Sequence, residues 1–269
     1  MSALPIAARS FADRRRGLLF WSVGVGAYVA TMLAFFPTAR SQAQSFNQLL
    51  ENYPKGMLTM FVGSEKIDFG SAPSFLNTYL YASMVPIIVL VLAIGFGAAA
   101  IAGEEEAGTL DLVLAHPVPR RSVVLQKALV LPALLTTVGA VIVVLVLGAV
   151  PLLDMDLSVG NLVAATVALV LLATDLGLVA LAVGAATGRR GLAAGVAGGV
   201  AAGTYLVNSM SSLATWLEPW RVVSPFYWAS HDNPLANGLA PGRRVVLVVL
   251  GSVLLAVAVV AFERRDLRG

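Results

Sequence analysis

The sequence has no cysteine, lysine only at Lys55, Lys66 and Lys127, histidine only at His116 and His231, and charged side chains at just 12% of its 269 positions. Without thiols there is no disulfide, no thiolate metal site and no thiol nucleophile. No lysine follows a glycine, so the G-x-x-x-x-G-K-[ST] loop that cradles nucleotide phosphates is missing. H-E-x-x-H and G-x-S-x-G are missing too, and the acids do not gather in one cluster of the kind that holds catalytic metal ions. The sequence therefore offers no enzyme chemistry of its own. The scarcity of charge excludes more. A soluble domain carries about 25% charged residues, and a chain that is 58% hydrophobic cannot cover a water-facing surface. A net charge of +3 gives no reason to expect nucleic acid as a partner.

What the chain has instead is long apolar runs. Gly17 to Phe36, Phe69 to Gly103, Ala128 to Leu153, Gly191 to Leu217 and Val245 to Phe262 carry no charge, and Leu157 to Gly188 is interrupted only by Asp175. Crossing a hydrocarbon core of ~30 Å takes roughly 20 helical residues, a length these runs reach or approach. They are continuously apolar and do not alternate with period two, which excludes barrel strands. The expected fold is an all-α integral membrane protein, one transmembrane domain over 1–269. Its six helices are expected at about 17–36, 77–103, 124–150, 159–187, 191–215 and 243–262. The basic cluster Arg14 to Arg16 ahead of an apolar stretch resembles a secretory signal. That stretch is longer than a signal's apolar core and carries Trp21 and Tyr28, so an uncleaved first span is expected.

Basic residues decide the orientation. Twelve of the 18 lysines and arginines, including Arg14 to Arg16, Arg120, Arg121, Lys127, Arg189, Arg190, Arg264 and Arg265, fall on the side that also bears both termini. That side is expected to be cytoplasmic. The outside then holds a segment over about 40–70, a short turn at Asp154 and Asp156, and a stretch from about Glu218 to Arg244. In the first, Phe46, Leu49, Leu50, Tyr53, Met57, Met60 and Phe61 recur at helical spacing around Pro54, which predicts an amphipathic helix pair at the membrane interface. In the last, Trp216, Trp220, Phe226, Tyr227 and Trp228 gather as an aromatic belt does. Interfacial anchoring and a gate over an outward opening both fit these two segments.

The most informative segment is the inner loop Gly103-Glu104-Glu105-Glu106-Ala107-Gly108-Thr109-Leu110-Asp111-Leu112-Val113-Leu114-Ala115-His116-Pro117-Val118-Pro119-Arg120-Arg121. Leu110, Val113 and Leu114 form an i, i+3, i+4 stripe, three glutamates precede it where a helix start favours anions, and Pro117 ends it. A short helix over 104–116 along the inner membrane surface is expected, with His116 at its C-terminal end. Glutamates gain nothing from an anionic lipid surface. They read either as a docking face for a protein partner or as a solvated turn.

The run EEEAGTLDLVLAHPVPRR resembles the signature region of the type 2 ATP-binding-cassette (ABC) exporter permeases, where a glutamate-rich element and Gly-Thr-Leu follow the second span. The likeness extends to the basic N-terminal segment, the outer Leu49-Leu50-Glu51-Asn52-Tyr53-Pro54 stretch, and the Ser224-Pro225-Phe226 turn before the last span and its basic tail. The resemblance implies that the inner helix is a coupling helix seated on an ATP-binding subunit, with Glu104, Glu105, Glu106, Gly108, Thr109, Leu110 and Asp111 as contact and hinge residues. It implies two copies of the permease with two ATP-binding subunits, which would bind the ATP and magnesium, in a bacterial plasma membrane. Export is the implied direction.

Two further features invite a function. Gly191, Gly195, Gly199 and Gly203 repeat every fourth residue along the fifth span, a spacing that lets helix backbones approach, within one copy or between two. Asp175 lies near the middle of the fourth span, where an acid costs roughly 2.5–3.5 kcal/mol on insertion scales. It reads as a structural hydrogen-bonding group, with Thr174 beside it, or as the ion site of a secondary transporter. His116 and His231 fall on opposite faces and cannot share a metal, and His231 with Asp232 supplies too few ligands for zinc. Three function classes are thus open: an ATP-driven permease subunit, an ion-coupled transporter built on Asp175, and a membrane anchor for a cytoplasmic partner.

Overall fold

The computed structural model describes residues 5–43, 70–110, 118–211, 213–214, 216–238 and 240–265. The amphipathic pair expected within 40–70 and the stretch from Asp111 to Pro117 of the inner loop lie for the most part outside these residues. All regular structure among the described residues is helical. Among the described residues, six helices are long and apolar enough to cross a membrane: Ile6–Ser41, Ala72–Ala100, Arg120–Ala149, Val159–Thr187, Arg190–Met210 and Pro241–Arg264. They are called the first to sixth spans below. A transmembrane helix satisfies its own backbone, which is why apolar runs in this chain take no other form.

The first helix begins well before the apolar run, at Pro5, and its 37 residues measure about 55 Å. It therefore projects beyond the bilayer at its basic end. Alanine and arginine favour helix there, and the Gln126 side-chain carbonyl accepts from the N–H groups of Ile6 and Ala7, two donors with no partner inside the helix.

The second span is not uniform. Between Ala72–Leu76 and Val85–Ala100 lies a wider π-helical stretch, Asn77–Met84, with Ser83 outside helical geometry at φ −123° and ψ −113°. Pro86 has no N–H to donate to the preceding turn, and a locally wider helix accommodates that loss. Neighbouring hydroxyls brace the stretch. Tyr28 of the first span donates to the Tyr79 carbonyl at 2.7 Å. The Tyr81 hydroxyl lies 2.6 Å from Thr166 Oγ1. Thr166 donates to Leu162, so it accepts from Tyr81.

The fourth span is the hub, packed on the second, third, fifth and sixth, while the first leans on the third. Small residues bring it close. A Cβ on Gly177 would lie 2.5 Å from Leu131 and 3.0 Å from the Ala93 carbonyl, and one on Gly97 would run into the Gly177 carbonyl. Asp175 on this helix is 2% exposed. Its Oδ1 fills the space a side chain at Gly251 would need, and its Oδ2 has no hydrogen-bond partner. Thr174 donates to the Val170 carbonyl at 2.7 Å and does not serve Asp175.

The start of the first helix and the end of the sixth lie at one end of the bundle beside the third span, whose Gln126 accepts from Ile6 and Ala7 N–H and whose Arg120 donates to the Arg265 carbonyl. At the opposite end, residues 218–238 form a cap of short helices tied to the spans. Ser224 caps the helix Pro225–Ser230 by accepting from Phe226 N–H and donates to the Thr204 carbonyl at 2.8 Å. Asn161 donates to the Leu235 and Ala236 carbonyls. Within this cap Arg221 Nη2 lies 2.6 Å from His231 Nδ1. A guanidinium only donates, so Nδ1 accepts and the ring is neutral. Partial burial, then Arg221 and Arg243, depress the imidazole's pKa against the opposing pull of Asp232. The stability this bond contributes is complete above the ordinary histidine range and is lost as pH falls through the depressed folded value. In a His116→Gln background, NMR titration of His231 should give an apparent pKa below 6.5. A value at or above it would contradict the neutral, accepting ring.

Candidate functional site

The inner loop begins where the second span breaks at Ile101, at φ −116° and ψ −59°. A separate helix of five residues, Ala102–Glu106, then carries all three glutamates. It ends in a complete Schellman motif: Gly108 N–H donates to the Glu105 carbonyl at 3.0 Å and Thr109 N–H to the Glu104 carbonyl at 2.9 Å, with Gly108 left-handed at φ +67°. The Thr109 hydroxyl adds a bond to the Glu104 carbonyl at 3.1 Å. Leu110 is buried in the core. The glutamates thus do not head the helix expected over 104–116. A left-handed glycine separates them from Leu110, because such a residue satisfies the last carbonyls and redirects the chain.

Each carboxylate reaches a different span. Glu104 pairs with Lys127 of the third span, a lysine 3% exposed. Glu105 holds Arg265, at the end of the sixth, in a bidentate fork with one arm of 2.9 Å between Nη1 and Oε2. Glu106 accepts from the Arg190 N–H at 2.8 Å, in the first turn of the fifth span. That is where a carboxylate is favourable, because the first backbone donors of a helix are unpaired. Glu104 and Glu105 are spent inside the chain, and the exposed tip of the loop runs from Glu106 to Thr109.

Residues not singled out from the sequence complete the clamp. Arg265 also reaches the Ala185 carbonyl, and Arg120 donates to the Arg265 carbonyl at 2.8 Å. Gly188 ends the fourth span at φ +64°, and a Cβ there would lie 2.6 Å from the Glu105 carboxylate. Arg14 of the first span sits 5.2 Å over the Phe96 ring. A cavity of about 10 Å3, lined by Ser10, Arg14, Phe96, Glu104 and Lys127 among others, leaves room for about one water. Lys127 was the signal available beforehand: a cation followed directly by an apolar run needs an acid in reach.

The other expected sites separate from this one. Gly191, Gly195, Gly199 and Gly203 are exposed, with open space where each Cβ would stand. Packing of the fifth span within the chain uses the next face, Ala193, Ala197 and Ala201. Nothing among the described residues joins Asp175 to a second ionisable group, so the ion-coupled reading gains no support.

Removing one member of a buried pair strands the other. Lys127→Met should therefore destabilise the protein by about 2–3 kcal/mol, below the fully buried range because Glu104 keeps some exposure. The double variant Lys127→Met/Glu104→Gln should recover most of that loss. Thermal unfolding in mild detergent measures both, and a double-variant loss equal to the sum of the singles would show that the two side chains are not coupled.

No significant match is found among curated proteins. The model of the ABC-2 family transporter proteins matches residues 4–267, which takes in all six spans and the clamped inner loop. The chain belongs to the ABC-2 family of transporter proteins and is a multi-pass membrane permease component.

Proposed function

We propose that the chain is the permease subunit of an ATP-driven exporter. Two copies form the pathway, and two ATP-binding subunits, which hold the ATP and magnesium, seat against the loop 103–121. The observation that carries this reading is the exposed tip Glu106–Thr109 standing on a base clamped to four spans. A force on the tip passes through Glu104 to the third span, through Glu105 to the sixth and through Glu106 to the fifth, while the second continues directly from the loop. Gly108 is the pivot between this base and the segment beyond it. Family membership supports pairing with ATP-binding subunits. The excess of lysine and arginine supports a cytoplasmic position for the clamped end and both termini, in a bacterial plasma membrane. The chain does no covalent chemistry. Its spans offer apolar surface with few fixed polar groups, which suits an amphipathic or apolar cargo.

Extraction from the native membrane in mild detergent should bring down an ATP-binding subunit in one-to-one ratio. Its ATP hydrolysis should lose coupling to transport in an Ala107→Trp variant, which enlarges the exposed tip without touching the clamp and whose own unfolding temperature is unchanged. A chain that purifies alone, or normal coupled transport in that variant, would sink the assignment.

The exposed glycine face of the fifth span supports the second copy, because small residues let two helix backbones approach. The cysteine-free sequence makes the test direct. Gly199→Cys should crosslink two copies in native membranes, whereas Ala197→Cys, buried within its own chain, should not. Equal crosslinking at both positions, or none at either, would place the second copy elsewhere.

A further inference from the structure

Three arginines stand together at the end opposite the clamped loop, Arg221 in the cap and Arg243 and Arg244 at the start of the sixth span beside it, and their donors are incompletely used. Arg244 is 7% exposed. Its Nη1 donates to the Trp228 carbonyl at 2.7 Å and the Ala229 carbonyl at 3.3 Å, where the helix Pro225–Ser230 ends and its carbonyls favour a cation. Its Nε and Nη2 are buried with no partner. Those two atoms form one edge of the guanidinium, the side-on fork that grips a carboxylate or phosphate through two parallel bonds. Arg221 Nε and Arg243 Nη1 are likewise buried and unpartnered. Four of the six orphaned side-chain atoms among the described residues are therefore guanidinium nitrogens at this one end of the bundle.

The charges are unbalanced in the same place. Arg243 pairs with Asp232 at 2.5 Å, the one carboxylate paired with these arginines among the described residues. Arg221 is spent on the neutral His231, and the guanidinium groups of Arg221 and Arg243 both lie over the Tyr227 ring, at 4.7 and 5.0 Å. Arg243 and Arg244 also stand in the first turn of the sixth span, where the helix field favours anions and opposes cations. A buried cation without its hydrogen bonds is costly. The arrangement makes sense when an anion occupies the fork, with the helix start behind it.

An apolar recess adjoins the cap. Gly203 and Val207 of the fifth span, with Trp216, Leu217, Trp220 and Val223, line a cavity of about 240 Å3. Arg221 stands on the same short 3-10 helix, Glu218–Val223, that supplies Trp220 and Val223 to this recess. One short element thus carries both the indole and the valine that line the recess and the Arg221 guanidinium beside them in sequence.

We propose that Arg221, Arg243 and Arg244 form a phosphate-binding site, and that the phosphate belongs to a membrane lipid whose acyl chain enters the recess beside Trp216 and Trp220. The site is independent of the coupling assigned to the inner loop. It would hold the cap against the membrane surface through two charge-assisted bonds from the Arg244 edge, with Arg221 and Arg243 neutralising the remaining charge.

The full-length protein, purified in mild detergent without phosphate, tests this by native mass spectrometry and unfolding temperature. Phosphatidylglycerol should be retained and should raise the unfolding temperature; diacylglycerol with the same chains should do neither. Potassium chloride at matched ionic strength controls for screening. Arg244→Lys keeps the charge and loses the fork, and should weaken phosphatidylglycerol binding about tenfold or more. Arg221→Gln, at a more exposed position, should weaken it as well and serves if Arg244→Lys does not fold. Inorganic phosphate binding as tightly as the lipid, and lost in the same variants, would keep the site and overturn the lipid as its source. Equal binding of diacylglycerol, or phosphatidylglycerol binding unchanged in both variants, would overturn the site.

Discussion

The close crossing of the second and fourth spans at Gly97 and Gly177 sets the rest of this bundle. A side chain at Gly97 would meet the Gly177 carbonyl, and one at Gly177 would meet Leu131, so the second, third and fourth helices touch where backbone replaces side chain. In lipid, helices gain little from burying apolar surface against one another, and van der Waals contact between closely approaching backbones takes over that role. The fourth span can then contact four others at once, and the ends of those four arrive together beneath it. The glutamate helix Ala102–Glu106 has three spans within reach only because of that convergence.

Electrostatics finishes what packing begins. At the clamped end, carboxylates are matched one by one: Glu104 to an almost fully buried lysine, Glu105 to a guanidinium in a two-point fork, Glu106 to the start of a helix. Gly188 is needed twice, for its left-handed turn and for the space the Glu105–Arg265 pair occupies. At the other end, three guanidinium groups share one paired carboxylate and keep unused donors. The two ends of the molecule are thus built on opposite principles, one a network of matched charges and the other a group of guanidinium donors left without partners.

Within the fourth span Asp175 stays apart from both ends. It faces Gly251 of the sixth span, with one oxygen unpartnered, and the neighbouring Thr174 is bonded to its own helix. A threonine beside an acid in sequence points elsewhere on a helix, since adjacent residues are turned about 100° from one another. That is why the hydrogen bond expected between them does not form.

Much of the protein was legible in its residues. Uncharged runs of about 20 residues admit one conformation in a bilayer, so the helical class and the number of spans follow from composition and length. The run of three glutamates followed by Gly-Thr-Leu was also legible, because these are local features. What those glutamates touch was not. Lys127 and Arg265 lie 23 and 160 residues from Glu104 and Glu105, and no periodicity in one helix reports which neighbour it will meet. The fifth span shows the same division. Its glycine repeat was plain, but only the packed bundle turns Ala193, Ala197 and Ala201 inward and leaves the glycines facing out. Sequence by itself determined which segments leave water, because transfer of apolar surface is a local property. Tertiary structure alone decided which charges meet and which stay unpaired, because that depends on the azimuth at which each helix packs.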